Sequence, residues 1–229
     1  MKNKIMLILI SMLIIIDSLY CISFQELVRK LEEKDEKISK LKADYIQLIN
    51  FLDLNETYII KARFIYVSPE KLRIDIDEPF KQIIVVNDKS IYVKDILNDT
   101  IYYSDSDKYF SKQKNYFPSI FSKNKKYKLS DLVKKTGLKF VNEEENFYVL
   151  STRYAEGKTY KDKKEGLRPG ETRFILWINK ETLFPEKVNM ISEKYVVETI
   201  LKNYETEFEV DENLFEIEKS SNTKIIKFD

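Results

Sequence analysis

The chain has 229 residues, with 39 lysines and arginines, 38 aspartates and glutamates, no histidine and one cysteine. Without histidine there are no His-based triads, no imidazole acid–base chemistry and no His-metal ligation, and the balanced charge argues against a polyanionic partner. Only four glycines occur, in neither a GxSxG nor a Walker phosphate loop.

Lys2 and Lys4 precede an apolar segment from Ile5 to Ile16, closed by Asp17 and Ser18. This is the pattern of a secretory signal, and it is shorter than the roughly 20 residues that span a bilayer. Cleavage is expected after Ser23, with Cys21 and Ser23 as the small residues, which leaves no cysteine and no disulfide in residues 24–229. The alternative is lipidation of Cys21, against which stands the bulky Tyr20 before it. Removing Lys2, Lys4 and Asp17 from the 39 basic and 38 acidic side chains leaves 37 of each. An exported chain of this length fits a single domain over 24–229, with no nucleic-acid partner.

Phe24 to Leu41 reads as a helix with Leu27, Leu31, Ile38 and Leu41 as its apolar stripe. Ala43 to Leu52 reads as a first strand and Leu54-Asn55-Glu56 as a turn. From Tyr58 to Val93 follow four short apolar runs, broken at Ser68-Pro69-Glu70, Glu78-Pro79-Phe80 and Asn87-Asp88-Lys89. So close a spacing leaves no room for crossover helices, which predicts an antiparallel meander that ends with Ile101-Tyr102-Tyr103. Alternation puts Tyr58, Ile60, Ala62, Phe64 and Tyr66 on one face with Lys61 and Arg63 on the other. Leu72, Ile74 and Ile76 likewise oppose Lys71, Arg73, Asp75 and Asp77. The expectation is a one-sided sheet with an aromatic, apolar inner surface, covered by a core or by a ligand.

Between Asp105 and Thr136 lysines alternate with aromatics. Phe117-Pro118-Ser119-Ile120-Phe121 can start a short helix, and Ser130 to Gly137 reads as another with Ser130 as cap and Gly137 as terminator. The excursion is read as a solvated helical segment that packs its aromatics on the sheet, or more sharply as a lid over an apolar cavity. Further strands are expected at Leu138–Asn142, Phe147–Tyr154, Phe174–Asn179, Phe184–Ser192 and Tyr195–Tyr204, with a charged loop over Ala155–Thr172. A turn at Asp211-Glu212-Asn213 leads to Leu214-Phe215, expected to tuck into the core. The carboxylate pairs Asp75/Asp77 and Asp105/Asp107 fit exposed strand or turn positions better than a glycosidase site. Neither catalysis nor a cofactor is expected.

The order of these elements resembles that of the periplasmic lipoprotein carriers of the LolA type and their outer-membrane receptor relatives of the LolB type. The likeness rests on Ser68-Pro69-Glu70-Lys71-Leu72-Arg73, on Glu78-Pro79-Phe80 with the apolar run to Asn87-Asp88-Lys89, on Leu183-Phe184-Pro185-Glu186-Lys187-Val188, and on Asn213-Leu214-Phe215. Each motif is short, and their order spans nearly the whole of 24–229. The resemblance implies an α+β fold, an unclosed and strongly curved antiparallel β-barrel with helices capping its concave apolar face.

It also implies a periplasmic monomer that holds lipoprotein acyl chains. The wall expected for them is Tyr58, Ile60, Phe64, Tyr66, Leu72, Ile74, Ile76, Ile83 and Val85, with Phe117 and Phe121 from the excursion. The implied partners are an ATP-driven inner-membrane lipoprotein transporter complex and an outer-membrane receptor or the outer membrane itself. Ser68 stands where such carriers often have an arginine, and Arg73 is not an obvious substitute. By likeness to the receptor's exposed leucine, Leu167 with Arg168 in the charged loop is a candidate membrane contact. A lipid- or lipoprotein-sensing envelope regulator, or a receptor-type protein, is the alternative on the same fold.

Overall fold

A computed structural model describes residues 22–69, 71–87, 90–106, 129–155, 158–159 and 170–228. The expected meander is present as β1 (Lys40–Phe51), β2 (Glu56–Val67), β3 (Lys71–Glu78), β4 (Gln82–Asn87), β5 (Ser90–Asp95) and β6 (Thr100–Asp105). A second series comprises β7 (Lys139–Glu143), β8 (Phe147–Ala155), β9 (Lys158–Thr159), β10 (Glu171–Asn179), β11 (Pro185–Ser192) and β12 (Tyr195–Glu205), and β13 is Lys224–Lys227. Among the described residues these form one sheet of 13 strands in the order β13-β6-β5-β4-β3-β2-β1-β12-β11-β10-β8-β7, with β9 beside β8. The two ends of that order, β13 and β7, are not paired, so the barrel is unclosed. Every ladder is antiparallel except that of β13 with β6.

The N-terminal helix is shorter than its apolar stripe implies. Helix α1 covers Phe24–Asp35, capped by Ser23, whose hydroxyl accepts from the Glu26 N–H at 3.1 Å. Leu41 instead belongs to β1, which pairs along its whole length with β2 from Lys40↔Val67 to Phe51↔Glu56. Twelve cross-strand partners outweigh the weak local preference for another helical turn. Leu27 is fully buried with Leu138, Leu150 and Ile178, and Phe24, Leu31, Phe140, Tyr148 and Leu176 pack around them. The helix thus covers the concave face over β7, β8 and β10. Helix α2 (Leu129–Thr136) starts one residue before the expected cap Ser130, whose N–H is bonded at 2.8 Å by the Glu32 carboxylate on α1. Gly137 terminates it as expected, with φ +68° and its N–H on the Val133 carbonyl.

The opposite, convex face is not the wet face that its lysines and arginine predict. After β12 the chain crosses it, passing through a 3-10 turn at Glu212–Phe215. Phe215, Val85 and Ile65 are buried there, with Val67, Ile83, Tyr92, Phe208, Val210, Leu214 and Ile217 around them. An irregular segment has no ladder for its carbonyls, and buried carbonyls need donors. Strand cations supply them: the Lys40 ammonium donates to the Phe208 carbonyl, Arg73 to Leu214 at 2.8 Å and Lys94 to Glu218 at 2.7 Å. Arg73 also pairs with Asp75, so it anchors this segment on the convex face, away from the concave surface. The expected tuck of Leu214-Phe215 is therefore correct, but it makes the sheet two-sided.

Truncating Phe215 removes the largest side chain buried in that convex cluster. Phe215→Ala is expected to lower stability by about 3–5 kcal/mol, read as a fall in the urea midpoint. A change below about 1 kcal/mol would mean that the segment is not part of the cooperative core.

Candidate functional site

Strand register fixes which residues share the concave face. Tyr66, Phe64 and Ala62 on β2 lie opposite Leu72, Ile74 and Ile76 on β3, and these lie opposite Val86, Ile84 and Gln82 on β4. On the other side of β2, Tyr58 pairs with Ile49 and Ile60 with Gln47 of β1, and Ile49 pairs in turn with Val197 of β12. All of these point to one side of the pleat.

That face is divided in two along the strands. At the end where β2 leads into β3, Leu72, Val86 and Ile91 are buried, with Phe64, Tyr66, Ile74, Ile84 and Phe228 against them. The last aromatic residue of the chain thus closes this half. At the other end the face opens into a cavity of about 440 Å³ lined by Ile49, Phe51, Leu54, Tyr58, Ile60, Ile76, Pro79, Phe80 and Gln82. Its volume lies in the usual range of small-ligand sites. Gln82 is the one amide among otherwise apolar and aromatic side chains. Phe51 meets the edge of Tyr58 at 5.8 Å between centroids and of Tyr195 at 6.5 Å, an aromatic edge to the wall.

Two tyrosines and a glutamine of this face are already paired. The Tyr58 hydroxyl donates to Glu56 at 3.1 Å, and that hydrogen bond, followed by the Glu56 charge, pushes the phenol above its ordinary value. On the same face the Tyr45 hydroxyl donates to Gln47 at 3.2 Å, and the Gln47 amide donates to Thr199 at 3.1 Å. Burial pushes the Tyr45 phenol up as well, so neither tyrosine ionises near neutrality. Among the described residues no group of three or more His, Cys, Asp or Glu side chains could hold a metal. None of their helices is long and apolar enough to cross a membrane.

Of the wall predicted from sequence, Tyr58, Ile60 and Ile76 come together in the cavity. Phe64, Tyr66, Leu72 and Ile74 share its face but belong to the packed cluster beyond it. Ile83 and Val85 are corrected: they pair with Asp75 and Arg73 and stand on the convex face, in contact with the C-terminal segment's cluster. Phe117, Phe121, Leu167 and Arg168 lie outside the described residues. The reading missed Ile49, Phe51, Leu54, Pro79, Phe80 and Gln82. The signal for two of them was present, since a tight turn puts Ile49 and Phe51 in phase with Tyr58 and Glu56.

The fold and the site together define an unclosed antiparallel β-barrel with a helix over one part of its concave face and an apolar cavity in another, the class that the resemblance implied. No family model and no curated protein matches the sequence. Solved structures similar to it include an uncharacterized conserved protein from Thermus thermophilus, with TM-score 0.55 and 12% identity over 90% of this chain and 100% of that one. A LolA superfamily protein from Nitrosomonas europaea gives TM-score 0.38 at 10% identity, covering 86% of this chain and 99% of that one. Lipoprotein LppX from Mycobacterium tuberculosis gives 0.43 at 8% identity, covering 82% and 100%. At such identities the likeness concerns the fold alone, and of these three the Thermus protein is the one whose score bears on it.

The edge strand β13 is held near the open end of the barrel by a carboxylate. Asp99 accepts from the Ser220 hydroxyl at 2.6 Å and from Thr223 at 2.9 Å, and its carbonyl accepts from the Lys224 N–H. Those hydroxyls, Ser220 first, hold its carboxyl below the ordinary value of 3.8. A depressed folded pKa contributes stability above the unfolded value, and that contribution is lost as pH falls through the folded one. Amide-exchange protection at Lys224–Phe228, corrected for intrinsic rates, is expected to drop on acidification below pH 3.8. Asp99→Asn should lower it several-fold at neutral pH and remove this pH response; an unchanged profile would show that the carboxylate does not hold the strand.

Proposed function

We propose that this protein is a non-catalytic carrier that shields the acyl chains of lipoproteins in its concave cavity and conveys them across the envelope, from the inner to the outer membrane. The observation that carries the reading is the cavity itself: about 440 Å³ walled by Ile49, Phe51, Ile60, Ile76 and Phe80 with Gln82 as the one amide. Apart from the Gln82 amide and the Tyr58 hydroxyl, such a wall offers an acyl chain only apolar and aromatic contact. A chain of ~16 carbons exposed to water costs on the order of 12 kcal/mol, at about 0.8 kcal/mol per methylene. An apolar wall offsets that cost without directional contacts, so chains of different length can share it. On this reading the N-terminal segment is an export signal and the carrier works in the periplasm. It works there as a monomer without a cofactor, is loaded by an ATP-driven inner-membrane transporter complex, and unloads to a receptor or to the outer membrane.

The test contrasts two faces of one strand. Ile60 lines the cavity, whereas its neighbour Ile59 is exposed and points the other way. Ile60→Asp is expected to weaken binding of a triacylated lipopeptide at least ten-fold, while Ile59→Asp leaves it unchanged, both by fluorescence titration. Equal binding by the two variants would sink the cavity as the acyl site. Native mass spectrometry of the periplasmic protein should show a bound lipoprotein or its lipid.

A further inference from the structure

One side chain of the cavity wall plays no part in holding the fold. Amides elsewhere on the sheet do: Gln47 donates to Thr199 at 3.1 Å, Asn179 to Glu186 at 2.8 Å and Asn203 to Asp44 at 2.7 Å. Gln82 is half-buried, lines the cavity and makes no side-chain hydrogen bond among the described residues. Its partner across the β4–β5 ladder is Asp95, but that carboxylate is turned to its own loop. It accepts there from the N–H groups of Leu97 and Asn98 and from the Asn98 amide. The partner on the other side is Ile76. An unpaired amide among apolar side chains is a cost unless something bonds it.

The amide also stands at one end of the wall. From Gln82 on β4 the lining crosses Ile76 on β3 and Ile60 on β2 to Ile49 on β1, three strand spacings or about 14 Å. Phe80 in the β3–β4 turn lines the cavity while 63% exposed, so Gln82 lies just inside the rim. No lysine, arginine, aspartate or glutamate lines the cavity, and the Tyr58 hydroxyl is engaged by Glu56. The wall is therefore an apolar row with one free, neutral hydrogen-bonding group at its end. An acyl chain has the same layout, a run of methylenes ending in one carbonyl.

We infer that Gln82 determines the specificity of this cavity: its amide N–H donates to the carbonyl oxygen of a neutral acyl ester or acyl amide, whose hydrocarbon lies along Ile76, Ile60 and Ile49. A ligand with the same chain but no carbonyl leaves the amide dry and unpaired, and a site built to hydrogen-bond a group rejects the analogue that lacks it. A free fatty acid is disfavoured for a second reason, because its carboxylate would enter a wall that holds no cation. The inference rests on the carrier reading in that an acyl chain enters the cavity. It adds which atom of the cargo is recognised, and by which side chain.

The test is calorimetric titration with four ligands that share one chain length: glycerol monopalmitate, palmitoylethanolamide, hexadecyl glyceryl ether and palmitate. The parent protein is expected to bind the ester and the amide about five-fold more tightly than the ether or the free acid. Gln82→Met should weaken the ester and the amide and tighten the ether, so that the preference closes or reverses. A loss of packing alone would instead move all of them in one direction. Gln82→Glu, which keeps the size of the side chain and removes its donor, should lose the preference as well. Equal affinity of the parent for ester and ether, tighter binding of palmitate than of the ester, or a preference that survives both substitutions would overturn the inference and leave the acyl cavity standing. Failure of all four ligands to bind would overturn both.

Discussion

The ladder between β1 and β12 is the contact on which the remaining structure depends. It joins two meanders that are each local in sequence, and it pairs Phe51 with Tyr195 and Asp44 with Lys202 across some 150 residues of chain. It brings α1, which precedes β1 in the chain, onto the inner surface of the second series, and sets that covered surface beside the cavity of the first. Closing so long a loop is costly before the contacts reward it. The ladder also sets phase. A shift between Lys42 and Asp44, with Asn203 at φ +54°, inserts one residue and re-aims the end of β12. Tyr204 then stacks on Phe184 with centroids 4.3 Å apart.

A single sheet leaves two faces to cover, and this chain covers them with different means. Over β7, β8 and β10 the concave side takes a helix, whose periodic stripe fills a curved trough. The convex side takes an irregular segment whose apolar side chains are intermittent and whose carbonyls are satisfied by Lys40, Arg73 and Lys94. Long cationic stems suit this work, because they lie along apolar surface and deliver a donor at the tip. What the described residues leave uncovered is the middle of the concave face toward one end, between Ile49 and Phe80.

The meander was legible because KLRIDIDE alternates strictly, and in YIIKARFIYV the charges of Lys61 and Arg63 fall on one phase only, which marks the other as the inner face. QIIVVN does not alternate. Ile83 and Val85 were therefore assigned to the same face as their neighbours, and only the register of β4 on β3 separates them. The same ambiguity hid Ile49 and Phe51, since β1 carries apolar residues at both phases. The N-terminal helix was read too long because Ile38 and Leu41 continue its stripe by spacing alone. The crossing segment was read only at Leu214-Phe215: Phe208 and Val210 alternate with glutamates over too few residues to mark a covering element, and Arg73 looks like any exposed cation until the Leu214 carbonyl lies beside it. A turn aromatic such as Phe80 gives no sign in sequence of whether it points inward, outward or, as here, to the edge of a cavity.

The cap on α1 bears on maturation as well as on folding. Ser23 closes the helix and Ile22 packs with the Leu27 cluster, so both residues belong to the folded unit. A chain that began at Phe24 would enter that unit without its first hydrogen-bonded turn secured, a loss of about 1 kcal/mol for a serine cap, and without the Ile22 contact. A chain processed just before Cys21 would keep both. If the N-terminal segment is removed on export, the position of the cut sets how firmly the helix over one part of the concave face is seated.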